Sequence, residues 1–441
     1  MPNSAHTGRG ETRLFTGIKY LWGQGDMASP HAMAAPLEDA WMWVEGGVVK
    51  ALGTVLHGEW IVYAALEEVD SEEATAVFDL VNEVDEGRRW VHDLQGAVVF
   101  PAFCDPHTHL VWAGDRVGEL ELRMQGWSYA RIARNGGGIQ ASVRSLRACP
   151  EEALLEQSLV RLRQIQSWGV ASLDIKSGYG LDYQSEAKTL RVARDLAKIS
   201  GLTVQSTFLG LHGIPTEYSK DPQGYVKAVV YDWLPRLVDQ GLVDAVDVFV
   251  EEGYFGLEDL DRLAAEAFRL GLPCKAHLNQ FVSLGGIARA KALGLLSMDH
   301  LEVVAEEDWL HLGPDAPTVV GLPLCSLYLG LPYAPLGSMV QSGQRVALGS
   351  DWNPGSAPCG NPWLTWSLAT LQCGLEPVQA LASMTCHAAT AMGLGMGSGT
   401  LRPGQPAHFT SHPSWVQPAT VVRNAGITWP YQVWNHGVLV P

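Results

Sequence analysis

From Val98 onward, short apolar runs rich in β-branched residues alternate with longer segments whose apolar positions recur at helical spacing. The runs at 98–104, 171–175, 203–209, 244–250, 273–276, 295–299, 318–322 and 345–349 read as eight strands. Between them lie helices such as 151–168, introduced by Pro150 and stopped by Gly169, and 185–199, stopped by Gly201. In the first, Leu154, Leu155, Leu159, Leu162 and Ile165 form one core-facing stripe. Eight strand–helix alternations predict an α/β fold, a (β/α)8 TIM-type barrel over residues 98–400. Ahead of it, 41–44, Gly46-Gly47 and 48–52 predict a hairpin in a small β unit over residues 1–97, with Met1 to Gly10 expected to be disordered. The acidic stretch 61–84 suits helix or strand equally. After Leu401, strand-like pieces return at 420–423 and 437–440, so residues 401–441 are expected to pair with the N-terminal unit in one β domain beside the barrel.

Composition supports a chain with a large core. Of 441 residues, 47% are hydrophobic and only 17% charged, which excludes a mainly disordered protein. A formal charge of −17 argues against nucleic acid or an anionic membrane as the main partner. It leaves room for an anionic small molecule, which needs only a local positive site. The Cys residues at 104, 149, 274, 325, 359, 373 and 386 form no CxxC pair, so a reducing cytoplasm is expected rather than a disulfide framework. No apolar run reaches the ~18 residues of a membrane span, and the N-terminus lacks a signal core.

The candidate chemistry sits where the runs end. His107 and His109 follow the first run in Asp105-Pro106-His107-Thr108-His109, and two residues apart on extended chain puts both imidazoles on one side. His277 follows the fifth run, His300 the sixth and Asp351 the eighth, all at C-terminal strand ends, where such barrels place their active sites. Three His and one Asp, with a fourth His in reserve, suit Zn²⁺ or Fe²⁺ with one position open for water. Such a metal would activate water and polarise a carbonyl, so hydrolysis of an amide-like bond follows. Asp351 could hold the metal and take the water's proton while His300 orients the water or binds the carbonyl oxygen. The His residues at 6, 31, 57, 92, 311, 387, 408, 412 and 436 are read as structural.

The stretch from Phe100 to His109 resembles the strand-one signature of the amidohydrolase superfamily, whose barrels carry a flanking β-sandwich built from both chain ends. The resemblance is closer still to the imidazolonepropionase family of histidine degradation, through DPHTHLVWAGDR at 105–116, ARNGGGI at 133–139, KSGYGLD at 176–182, TFLGLHG at 207–213 and ALGSDWNPGS at 347–356. These blocks run in order from strand one to strand eight. The resemblance implies a hydrolase that opens the cyclic amide of 4-imidazolone-5-propanoate to N-formimino-L-glutamate. It also implies metal ligands His107, His109, His277 and Asp351 for one Zn or Fe ion, and a cytoplasmic homodimer acting on a small anionic substrate.

Carried over position by position, the substrate residues would be Arg116, Tyr179, His212, Gln280, Asn353, Gly355 and Ser356, with His300, Asp351 and Gln280 catalytic. Arg116 offers a planar fork for the propanoate carboxylate, unless it pairs with Glu119 or Glu121 instead. Tyr179 sits on a Gly-flanked loop, and the Asn353 amide and the N–H groups of its loop could bind the anionic end. Gln280 stands where some family members carry Glu, and an amide can hydrogen-bond a ring N–H or carbonyl but cannot serve as a general base. The Gly136-Gly137-Gly138 run lacks phosphate-loop spacing and is read as a closing loop. Residues 244–253 contain no Lys to bridge two metals, which favours a single ion; Glu251 or Glu252 could join the site. Competing readings are an aminohydrolase that releases ammonia on the same scaffold and a metal-free barrel kept for binding.

Overall fold

A computed structural model describes residues 12–24, 35–65, 91–127, 129–395, 397–425, 429 and 431–440. Met1 to Gly10, His6, His31 and the acidic stretch beyond Ala65 lie outside them. Five strands come first: β1 (Thr12–Leu21), β2 (Leu37–Glu45), β3 (Val48–Leu56), β4 (Glu59–Ala65) and β5 (Val91–Pro101). Eight follow as the barrel: β6 (Phe103–Thr108), β7 (Val170–Lys176), β8 (Thr203–Leu211), β9 (Ala245–Val250), β10 (Lys275–Leu278), β11 (Ser297–His300), β12 (Thr318–Gly321) and β13 (Val346–Leu348). Three short ones end the chain: β14 (Phe409–His412), β15 (Gln432–Asn435) and β16 (Val438–Leu439).

The expected barrel and the flanking β domain are both present. β6 to β13 pair in parallel and in chain order. The ring closes where the Asp351 N–H donates to His107 O at 2.9 Å and the His109 N–H to Trp352 O at 3.0 Å. The barrel strands are buried on both faces, which is why they read as nearly unbroken apolar runs. The helices that cover them are punctuated as expected. Glu151–Ser167 starts after Pro150, and Tyr183–Ser200 is capped by Asp182, which accepts from the Ser185 N–H, and ends at Gly201 with φ of 68°.

Both chain ends meet in one eight-stranded sheet, since β14 runs antiparallel to β5 and β5 parallel to β1. Gly46 and Gly47, both at positive φ, make the predicted two-residue turn between β2 and β3. Phe15, Met42, Leu52, Phe409 and Trp434 fill this sheet's core.

Two local readings change. Residues 98–104 are not one strand: β5 keeps 98–101 in the flanking sheet, and the barrel's first strand begins at Phe103. The transfer occurs within one peptide, as the Ala102 N–H donates to His408 O and the Phe103 N–H to Gly169 O. Both halves are apolar, so hydrophobicity shows no break. Residues 420–423 belong to a helix, Pro418–Arg423, with Pro at its first position and a Gln417–Thr420 capping box; the β-branched Val421 and Val422 had suggested strand. No helix among the described residues is long and apolar enough to cross a membrane.

Candidate metal centre

His107, inside β6, and His277, inside β10, each face a buried carboxylate with one ring nitrogen. His107 Nδ1 lies 2.6 Å from Asp299 Oδ2, and His277 Nδ1 lies 3.1 Å from Asp247 Oδ1. A carboxylate accepts only, so the ring proton belongs on Nδ1 and the Nε2 lone pair is left to face the barrel mouth. There, His107 Nε2 and His277 Nε2 are buried and have no hydrogen-bond partner. Leaving such an atom unsatisfied costs about 1–3 kcal/mol. His107, His109 and His277 each bring a nitrogen within 4.8 Å of the other two, and Asp351 Oδ1 is 3.5 Å from Nε2 of both His107 and His109. Three imidazole nitrogens and a carboxylate oxygen, with unspent lone pairs in a dry site, fit a divalent cation.

Electrostatics support the same assignment. Burial pushes His107 and His109 well below the ordinary imidazole value, helped by Lys176 for the first and His212 for the second, so both rings are neutral as ligation requires. Beneath them is a layer of fully buried charge. Lys176 Nζ donates to Asp247 Oδ2 at 2.6 Å and lies 3.1 Å from Asp174 and 3.4 Å from Asp299. Lys275 Nζ reaches Asp174 and Gln205, each at 2.7 Å. Burial opposes charge on Lys176, but the three carboxylates outweigh it and raise its pKa. His300 and Asp351 both adopt left-handed backbone, φ 83° and 52°, a conformation held by surrounding structure and concentrated at functional sites.

Above the nitrogens opens a cavity walled by His109, His277, His300 and Asp351 at its floor side and by Arg116, Tyr179 and Phe249 among others. Among the expected ligands only His107 is absent from its walls, and among the expected substrate residues only Gly355. Arg116 makes one of the pairings the sequence offered, with Glu119, and does so at the pocket. It lines the cavity and is buried, yet it is gripped by Glu119 through Nε at 2.9 Å and Nη2 at 2.7 Å. Glu119 also accepts the Gly138 N–H at 2.8 Å, which ties the glycine run to this corner, and Ile139 just beyond it lines the cavity. Gly355 matters through Arg116: a Cβ there would lie 1.7 Å from Arg116 Nη1. Tyr179 is held by a loop whose Gly178, Gly180 and Leu181 N–H groups all donate to buried Glu186, and Gly178 at φ 108° leaves room for His212. His212 stacks on His109 with ring centres 5.1 Å apart, and burial followed by His277 lowers its pKa to about 3.

The strand-eight loop works differently from expectation. Its Gly355 and Ser356 N–H groups are not presented to an anion, because both donate to Asn353 Oδ1, while the Asn353 amide donates to Asp351 O and Ser356 Oγ. The loop thus braces Asp351, whose Oδ2 accepts from the Ser356 hydroxyl at 3.3 Å. Glu251 is a brace as well, accepting the N–H groups of Glu252 and Phe281, and Glu252 is exposed. Sequence reading missed Asp247, Asp299, Lys176 and Glu186. The available signal was a charged residue inside an otherwise apolar strand, as in DAVDVFV and SMDH.

Comparison with known proteins agrees with this geometry. The Amidohydrolase family matches residues 251–433. Over 317 residues the chain is 42% identical to an imidazolonepropionase of Christiangramia forsetii, covering 72% of this chain and 77% of that one. Over 348 residues it is 41% identical to an imidazolonepropionase of Acinetobacter baumannii, covering 78% and 86%. An adenosine deaminase from Xanthomonas campestris, solved with bound zinc, superposes with a TM-score of 0.66 over 97% of this chain and 92% of that one; at 16% identity it speaks for the fold.

Proposed function

From the premise that this chain belongs to the imidazolonepropionase family of amidohydrolases, we propose how its residues open the cyclic amide of 4-imidazolone-5-propanoate to N-formimino-L-glutamate in histidine degradation. The observation that carries the reading is the set of unspent imidazole nitrogens facing Asp351 on the floor of a cavity. His107, His109, His277 and Asp351 hold one divalent metal, and Zn²⁺ and Fe²⁺ both suit three nitrogens and one oxygen. When bound, the metal supplies Lewis acidity toward water and toward the ring carbonyl.

The chain's own groups do the rest. Asp351, braced by the Ser356 hydroxyl at the cavity wall, offers a carboxylate oxygen to take the proton of the attacking water. In His300, burial opposes protonation, but Glu302 and Asp351 outweigh it and raise the pKa, so this ring can hydrogen-bond the carbonyl oxygen and hand a proton to the departing ring nitrogen. Gln280, buried at the cavity wall, pairs with a ring N–H or carbonyl and moves no proton. Arg116, fixed by Glu119, takes the propanoate carboxylate, with Tyr179, His212, Asn353 and Ser356 shaping the rest of the pocket. The test is a paired assay on metal-replete protein. Loss of the imidazolone ultraviolet absorbance without ammonia supports the cyclic-amide reading, whereas stoichiometric ammonia from a formimino compound or aminated ring, with the imidazolone untouched, replaces it with the aminohydrolase.

A further inference from the structure

One buried cluster beside the pocket is not accounted for by the four proposed ligands. His300 ends β11, Glu302 follows two residues later, and Cys325 lies in the first turn of the helix Pro323–Leu329 that follows β12. One donor atom from each falls within 4.8 Å of the other two, and all three residues are buried. Glu302 Oε1 lies 3.3 Å from His300 Nδ1 and accepts the Ser326 hydroxyl at 3.2 Å. Its second oxygen, Oε2, is buried with no hydrogen-bond partner. A carboxylate oxygen in dry surroundings normally finds a donor or a cation. The Cys325 sulfur receives the Gln280 amide at 3.3 Å and completes a set of sulfur, imidazole nitrogen and carboxylate oxygen. Sulfur selects the softer divalent ions over Mg²⁺ or Ca²⁺.

We propose that His300, Glu302 and Cys325 form a second site for a thiophilic divalent cation such as Zn²⁺, bordering the four ligands at the barrel mouth where Cys325 meets Asp351, and that filling it stops turnover. On binding, the Cys325 thiol releases its proton to solvent, the proton that His300 Nδ1 holds toward Glu302 also leaves, and Sγ, His300 Nδ1 and a Glu302 oxygen each donate an electron pair to the ion. With Nδ1 committed to the ion, Nε2 carries the last ring proton, and giving it up would leave an imidazolate, so His300 can no longer hand a proton to the departing ring nitrogen. Inhibition rests on the role given to His300 in ring opening; binding does not.

The test uses full-length protein freed of metal and titrated with Zn²⁺, and in parallel with Co²⁺ as a spectroscopic stand-in. The first Co²⁺ equivalent is expected to restore ring opening without a sulfur-to-metal charge-transfer band, since no Cys belongs to that ligand set. The second is expected to bring up the band and suppress the rate. Cys325→Ser should abolish the band, weaken the second equivalent by about tenfold or more, and relieve the inhibition, while still taking the first equivalent. Glu302→Gln should keep the thiolate but weaken the second equivalent by a similar factor. A wild-type protein with no charge-transfer band at two equivalents, or a Cys325→Ser protein that binds the second ion as tightly as wild type, overturns the site. A second equivalent that binds with the band but leaves the rate unchanged overturns the inhibition alone. Failure of the first equivalent to restore ring opening counts against the proposed reaction and leaves the band as the judge of the site.

Discussion

His107 and His277 in the barrel have ring centres 4.4 Å apart; His408 and His436 in the flanking sheet have theirs 4.3 Å apart. Depressed pKa values do not separate the two regions either, since burial brings His408 and His412 to about 3. What differs is how the ring nitrogens are used. His412 Nδ1 accepts the Trp429 indole N–H at 3.0 Å and its Nε2 meets the Thr410 hydroxyl at 2.8 Å, while His408 Nδ1 accepts the His436 N–H at 3.2 Å. In the barrel, one nitrogen of His107 and one of His277 are fixed by Asp299 and Asp247, and the other nitrogen of each is buried without a hydrogen-bond partner. His92 also keeps a buried unpartnered Nε2, but its ring stacks on Phe15 and meets Trp434 edge-on, and no carboxylate among the described residues is hydrogen-bonded to it. Clustered, buried histidine therefore does not identify a metal centre; a carboxylate-backed ring with its second lone pair unspent does.

The sharpest break of this contrast is His277→Ala, which should remove metal from the purified protein and lower turnover by more than about 100-fold, read by metal analysis and the ring-opening assay. Asp299→Asn keeps the shape but removes the charge behind His107, and should weaken metal affinity by about 10–100-fold in a chelator competition. Arg116→Ala should raise KM by about 10–100-fold with a smaller change in kcat, as expected for losing a charged hydrogen-bonding partner worth about 1.5–3 kcal/mol; an unchanged KM would remove Arg116 from the carboxylate site. His412→Ala, on the other side of the comparison, should leave metal content at wild-type level and cost about 1–3 kcal/mol in denaturant unfolding, because Trp429 and Thr410 lose their partner.

The contrast also explains what could be read from sequence. The strand-end positions of His107, His109, His277, His300 and Asp351 were legible because a parallel barrel makes its strands apolar, so a polar residue at the end of a run stands out. The roles of Asp247 and Asp299 were hidden, since they are recognised by what lies across the barrel from them and not by their neighbours in sequence. The transfer from β5 to β6 was hidden for the opposite reason, two sheets sharing one unbroken apolar stretch from Val98 to Cys104. Arg116 shows a third limit: spacing placed it at the pocket, while its engagement with Glu119 depends on how the loop turns back on itself.

The most direct test of the central claim is ring opening followed against metal equivalents added to metal-free protein, in wild type and His277→Ala. The barrel ligand set predicts that wild-type activity is absent without metal and rises linearly to a break at one equivalent per chain, with His277→Ala silent throughout. Full activity in the metal-free protein, or a His277→Ala protein that activates at the same single equivalent, would contradict it.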